Sequence, residues 1–68
     1  MMLTVVVNGE KREVPPGATV LDLLKALEIA PGPVAVEVNS NVVRRARHAE
    51  HRLEAGDRVE IVTLVGGG

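Results

Sequence analysis

Three consecutive glycines, Gly66-Gly67-Gly68, stand at the end of the 68-residue sequence, directly after a valine-rich segment. Glycine has no side chain and takes dihedrals that other residues avoid, so such a tail can thread a channel too narrow for other residues. A carboxylate on Gly68 is then a chemical handle with unhindered approach. No serine interrupts the glycines, unlike the usual flexible linker. A second cluster lies upstream, where Arg44, Arg45, Arg47 and Arg52 surround His48, Glu50 and His51. These residue types could hold RNA phosphates or, through the histidines and Glu50, a metal ion. No aromatic interleaves the arginines and no further ligand is at hand, so the segment reads as a solvated loop. Other reactive constellations are missing. The lack of cysteine removes disulfides, thiolate ligands and thiol nucleophiles together. Ser40 is the only serine and has no evident base partner, and the nine carboxylates are dispersed. The glycines do not suit a phosphate-binding loop either, since no helix follows them.

The composition narrows the function classes further. A 46% hydrophobic and 25% charged chain is ordinary for a folded domain, and its length holds one domain. A chain this short buries about 60% of the surface it exposes when unfolded. Such a thin core cannot enclose a large private active site, which argues against a self-contained enzyme. Aromatic residues are absent, so there is no base-stacking platform, and a net charge of −1 gives no global field for a polyanion. Nucleic acid is therefore not an expected partner. No apolar run approaches the roughly 18 residues of a membrane span, and no signal-peptide pattern opens the sequence. The expectation is a small cytoplasmic domain without a membrane partner.

The elements that must position the glycines follow from three valine clusters. Leu3 to Val7 is a β-rich run, and Asn8-Gly9 suits a two-residue type I′ turn, in which both residues need positive φ. The return strand is Glu10 to Val14, with Val7 facing Glu10, Val5 facing Arg12 and Leu3 facing Val14. Leu3, Val5, Val7 and Val14 then share the core face, while Thr4, Val6, Lys11 and Glu13 share the other. Pro15-Pro16-Gly17 closes the hairpin. Thr19 is a helix N-cap, with Asp22 completing a relative of the capping box. Val20, Leu23, Leu24 and Leu27 follow helical spacing over about ten residues, up to Pro31-Gly32-Pro33. The second cluster, Val34 to Val38, turns at Asn39-Ser40-Asn41, with a brief return at Val42-Val43. Residues 45–52 are polar and irregular, with room for a turn of helix. After Leu53 and a tight turn at Glu54-Ala55-Gly56-Asp57, a last strand runs from Arg58 to Val65. The order β-β-α-β-β-β makes an α+β domain, with the helix on one sheet face. Its expected core is Leu3, Val5, Val20, Leu23, Leu24, Leu27, Val36, Val59 and Ile61. With Val59 and Ile61 inward, Val62 and Leu64 point outward beside the glycine tail, as a partner-docking patch would.

These residues carry a resemblance over nearly the whole chain. Asn8-Gly9, the helix opening Thr19-Val20-Leu21-Asp22-Leu23-Leu24, and Val34-Ala35-Val36-Glu37-Val38-Asn39 followed by Val42-Val43 are its first marks. Leu53, Gly56-Asp57-Arg58-Val59-Glu60-Ile61-Val62 and the terminal Val65-Gly66-Gly67-Gly68 complete it. Together they resemble the ubiquitin-like bacterial sulfur carriers and, more narrowly, the ThiS family of thiamine (thiazole) biosynthesis. The Val-Ala-Val-x-x-Asn segment favours that branch. Three features depart from the family's pattern, namely Arg44-Arg45 where proline then arginine is frequent, and the missing aromatics in the last strand and near the start of the variable loop.

The resemblance implies a ubiquitin-like β-grasp over residues 1–65, a mixed sheet covered by one helix, and a flexible glycine tail at 66–68. It implies that an E1-like adenylyltransferase uses ATP to adenylate Gly68, and that a sulfur donor such as a cysteine desulfurase converts it to a thiocarboxylate. Thiazole synthase would then accept the sulfur. Gly66 and Gly67 would thread the partner's channel, and Val62 and Leu64 would dock the enzymes. No bound cofactor or metal and no catalysis by the chain itself are implied; it would be a protein cosubstrate. Related carriers for molybdopterin synthesis, transfer-RNA thiolation or protein tagging remain alternatives, as does a non-carrier β-grasp binding module.

Overall fold

A computed structural model describes residues 1–29 and 32–63. Its elements are β1 (Leu3–Val7), β2 (Glu10–Val14), α1 (Val20–Ala26), β3 (Val34–Val38), β4 (Asn41–Val42), a 3-10 turn (Arg45–Arg47) and β5 (Arg58–Thr63). The five strands form one sheet in the order β2-β1-β5-β3-β4. β1 and β5 run parallel, and the remaining pairs are antiparallel. This is the expected mixed sheet with a helix on one face, the β-grasp. The extra residues 64 and 65 expected in the last strand, and the boundary and tail expected at 65–68, lie outside the described residues.

The first hairpin pairs in the register that its side-chain pattern requires, with Leu3 opposite Val14, Val5 opposite Arg12 and Val7 opposite Glu10. Asn8 and Gly9 take φ of 48° and 86° at its tip, the positive values of a type I′ turn. Asn39 and Ser40, at 52° and 71°, make a second turn of this kind between β3 and β4.

Helix α1 is shorter than its apolar spacing predicts. It ends at Ala26, with Leu27 as C-cap, because Glu28 takes a left-handed φ of 56°. The Glu28 amide donates to the Lys25 carbonyl at 3.0 Å, and the Ile29 amide to the Leu24 carbonyl at 3.1 Å. That pair of bonds is a Schellman motif, built here on glutamate rather than glycine. Ile29 then packs back onto the core. At the other end, the Asp22 amide donates to the Thr19 hydroxyl at 3.1 Å, and the Thr19 amide to the Asp22 carboxylate at 3.0 Å, a complete capping box. Hydrogen bonding by Thr19 holds the Asp22 carboxyl below its ordinary range: the Thr19 amide contributes most, then its hydroxyl, with Lys25 adding less.

The core includes Val5, Val20, Leu23, Leu24, Val36, Val59 and Ile61, as the pattern predicts, with Leu3 and Leu27 at its margin. It also takes in Val7, Val14, Ala18, Val38, Val43 and Leu53. The segment expected to be a solvated loop contributes more than that reading allows. His48 is buried, with its Nε2 3.0 Å from the Val43 carbonyl. The Val20 and Leu21 amides, two of the helix's orphan donors, reach the His51 and His48 carbonyls at 2.9 Å. Residues 48–51 are thus the floor on which α1 starts.

Candidate functional site

The strand that leads toward the glycines is the centre of the sheet, flanked by β1 and β3. Side chains alternate along it. Val59 and Ile61 point into the core, opposite Val38 and Val36, whereas Arg58, Glu60 and Val62 are exposed on the opposite face. Val62 keeps 55% of its surface and lies opposite Ala35, itself exposed. Below that pair Glu60 faces Glu37, and Glu37 in turn faces Val42, 71% exposed. Arg58 faces Val6 in the next row. The open face therefore combines exposed aliphatic side chains with two adjacent carboxylates and an arginine.

Two asparagines hold β5 in place, and reading them only as turn residues misses this role. The Asn8 side chain continues the β1–β5 ladder after the chain has turned away. Its Nδ2 donates to the Ile61 carbonyl at 3.1 Å, its Oδ1 accepts the Ile61 amide at 2.8 Å, and its own amide donates to the Val59 carbonyl at 2.8 Å. The start of β5 is tied likewise by Asn39. Its Oδ1 accepts the Arg58 amide at 2.9 Å and its Nδ2 donates to the Asp57 carboxylate at 3.0 Å. The other oxygen of that carboxylate accepts the Glu54 amide at 2.8 Å, closing the turn. The signal available in sequence is the amide itself. Asn, Asp and Gly all suit a left-handed turn position, but only an amide can both donate to and accept from one strand residue.

Val62 stands on the exposed face as its alternation requires, while Leu64, Gly66, Gly67 and Gly68 lie outside the described residues. The histidine and arginine cluster does not assemble into a site for a metal. His48 points inward, and no group of three His, Asp or Glu side chains is close enough to hold a metal ion among the described residues. The arginines at 44, 45, 47 and 52 are all exposed, and Arg47 pairs with Glu50 at 3.2 Å. No helix of the described residues is long and apolar enough to cross a membrane.

Comparison with known proteins agrees with this architecture. The sequence model of the ThiS family matches residues 5–68. A crystal structure of the thiamine biosynthesis protein (ThiS) from Geobacter metallireducens is similar with a TM-score of 0.81 and 33% identity, over 97% of this chain and 100% of that one. An NMR solution structure of a thiamine biosynthesis protein from the same organism gives 0.79 and 33%, over 97% and 88% of the two chains. Among curated proteins, a thiazole synthase of Paramagnetospirillum magneticum is 38% identical over 66 residues, 97% of this chain and 20% of that protein. A thiazole synthase of Magnetococcus marinus is 41% identical over 61 residues, 90% of this chain and 19% of that protein. The chain spans about a fifth of the length of these curated relatives.

Proposed function

The chain belongs to the ThiS family, and on that premise we propose that it is a sulfur carrier for thiamine biosynthesis, a protein cosubstrate rather than an enzyme. The observation that carries this reading is that the family match continues past β5 and through Gly66, Gly67 and Gly68. In the proposed cycle a Gly68 carboxylate oxygen attacks the α-phosphate of ATP on an E1-like adenylyltransferase, and pyrophosphate leaves. The persulfide of a sulfur donor such as a cysteine desulfurase attacks the acyl carbon and displaces AMP, and a thiol reductant then cleaves the S–S bond of the acyl disulfide, leaving a thiocarboxylate. Thiazole synthase accepts that sulfur. Two proteins named thiazole synthase each contain a segment like this chain, which supports that enzyme as partner. The lack of cysteine also supports the assignment, since a persulfide cannot then be the carried form. Val62 and Leu64 dock the enzymes, and Gly66 and Gly67 thread the channel that leads to the reacting phosphate.

Intact mass spectrometry tests this. With ATP, the adenylating partner and the donor present, the chain should gain the mass difference of one oxygen replaced by sulfur, located at Gly68 by fragmentation. Deleting Gly68 draws the carboxylate back by ~3.3–3.6 Å, and a displacement of about 1 Å can cost on the order of a hundredfold in rate. Adding an alanine after Gly68 pushes it forward and brings a methyl group into the channel. Both variants should melt with the parent, since among the described residues the core ends at Ile61. Neither should support ATP–pyrophosphate exchange. Normal exchange by either one would remove the tail from the mechanism and the carrier assignment with it.

A further inference from the structure

Charge is divided unevenly along this chain. Residues 44–52 hold four arginines against the single Glu50, a net +3, while the remainder holds four cations against eight carboxylates, a net −4. The cationic segment borders a groove, between the β4 edge and the turn after the 3-10 segment, lined by Val42, Arg44, Arg47, Glu50 and His51 among others. Arg44 has no acidic partner among the described residues, and the Arg47–Glu50 pair is 72% and 68% exposed, so an incoming carboxylate can compete for it.

The groove also has a main-chain wall. β4 is an edge strand. The Val43 amide donates to the Val36 carbonyl, and the antiparallel register places Val42 opposite Glu37. Hydrogen-bonded and non-hydrogen-bonded pairs alternate in such a ladder, so the Val42 N–H and C=O point away from β3 toward the open edge. An exposed edge with free main-chain groups is a template for another strand.

We propose that this groove receives an extended acidic segment of a partner protein. Its backbone pairs with the Val42 N–H and C=O, and its carboxylates meet Arg44 and Arg47. Strand addition supplies the main-chain bonds, and charge selects the sequence. A nucleic acid fits less well, because no aromatic side chain offers stacking. This groove adjoins the open face, sharing Val42 with it, but does not include Val62, and the proposal does not depend on the carrier reading.

The test uses the full chain labelled with ¹⁵N and an acetylated, amidated probe peptide, Glu-Val-Glu-Val-Glu, at low salt. Amide shifts should concentrate at 41–44 and 47–51, and exchange of the Val42 amide should slow on binding. The double substitution Arg44→Glu/Arg47→Glu should weaken the probe by at least about tenfold while leaving the melting midpoint unchanged. If the double variant melts early, Arg44→Gln alone replaces it, with a smaller loss expected. A Lys-Val-Lys-Val-Lys probe should not bind. The proposal is overturned by no binding of the acidic probe, by shifts centred elsewhere, or by affinity indifferent to the arginine substitutions. A single-stranded RNA oligomer that displaces the peptide would overturn it as well, and would assign the groove to nucleic acid.

Discussion

Val59 and Val62 belong to the same strand and are the same residue type, yet one is 1% exposed and the other 55%. On the covered side of the sheet, Val59 and Ile61 meet Val36, Val38 and the helix residues Val20, Leu23 and Leu24 in one cluster. On the open side, Glu60 stands opposite Glu37 and Val62 opposite Ala35. Like charges directly opposite in a sheet are mildly destabilising, and an exposed valine gains nothing from water. Neither feature is one that selection for stability alone would favour. The covered side is shaped by packing, and under the proposed function the open side is shaped by what it recognises. Substitutions on the two sides should therefore separate stability from binding.

The largest stability effect belongs to the covered side. Leu23, 2% exposed, sits where α1 meets the sheet, and Leu23→Ala should cost ~2–5 kcal/mol, a large share of what a small domain has. Chemical denaturation measures this, and an unchanged midpoint would show that the helix is not the lid of this core. Asn8→Ala comes next. It leaves the Ile61 amide and carbonyl without their side-chain partner and places alanine at positive φ, so it should cost ~1–3 kcal/mol. Amide exchange should quicken at Ile61 before it does in the first hairpin. Uniform quickening would mean that Asn8 serves the turn alone.

The elements carrying those residues differ in how plainly their sequence declares them. The first hairpin is legible to the residue, because Asn8-Gly9 specifies the turn and alternation then fixes the register. The capping box at Thr19 and Asp22 is legible for the same reason, since its side chains are themselves the hydrogen-bonding groups. The end of α1 is not, because the left-handed cap falls on Glu28 and a carboxylate side chain gives no sign of positive φ. Proline at position 31 draws the predicted end several residues too late. Segment 45–52 is hidden differently. Its structural work is done by the carbonyls of His48 and His51, and every residue has a carbonyl. Buried His48 sits among arginines whose charge advertises solvent. The exposed face of β5 is legible from alternation at Val62, whereas the clamp on that strand by Asn8 needs contacts that are far apart in sequence.

Two helix-end substitutions probe the lid with smaller steps. Thr19→Ala removes the cap and should cost ~0.5–2 kcal/mol. The same cap makes stability depend on pH through Asp22, whose folded carboxyl titrates below its ordinary 3.8. A depressed folded value means that the contribution is fully present above the unfolded value and is lost as pH falls through the folded one. The deficit of Asp22→Asn in melting midpoint should therefore be largest near neutrality and shrink as pH falls below the ordinary carboxylate range; a constant deficit would place the effect elsewhere. Glu28→Gly runs the other way. It relieves the left-handed strain and, after the greater flexibility of glycine in the unfolded chain is deducted, should stabilise by about 0.5–1 kcal/mol. Destabilisation would show that the Glu28 side chain has an interaction worth more than its backbone strain.

Val62→Asp should have the smallest effect on folding and the sharpest effect on recognition. The side chain already meets water, so replacing it removes little buried surface, and exposed strand positions usually respond by less than about 1 kcal/mol. The new carboxylate joins Glu60 on the same face, a repulsion that salt reduces. For a partner that covers Val62, the same change requires a charge to be desolvated against an apolar surface, which is far more costly than losing two methyl groups. Calorimetry with the adenylating enzyme should thus show binding weakened beyond detection, beside a melting midpoint close to the parent's. Val62→Ala provides the control, since it empties the contact without adding charge and should weaken binding only partly. If Val62→Asp lowered the midpoint as far as Leu23→Ala does, the open side would belong to the folding core. If it left binding intact, the docking surface would have to lie elsewhere, and the groove beside β4 would be the next place to search.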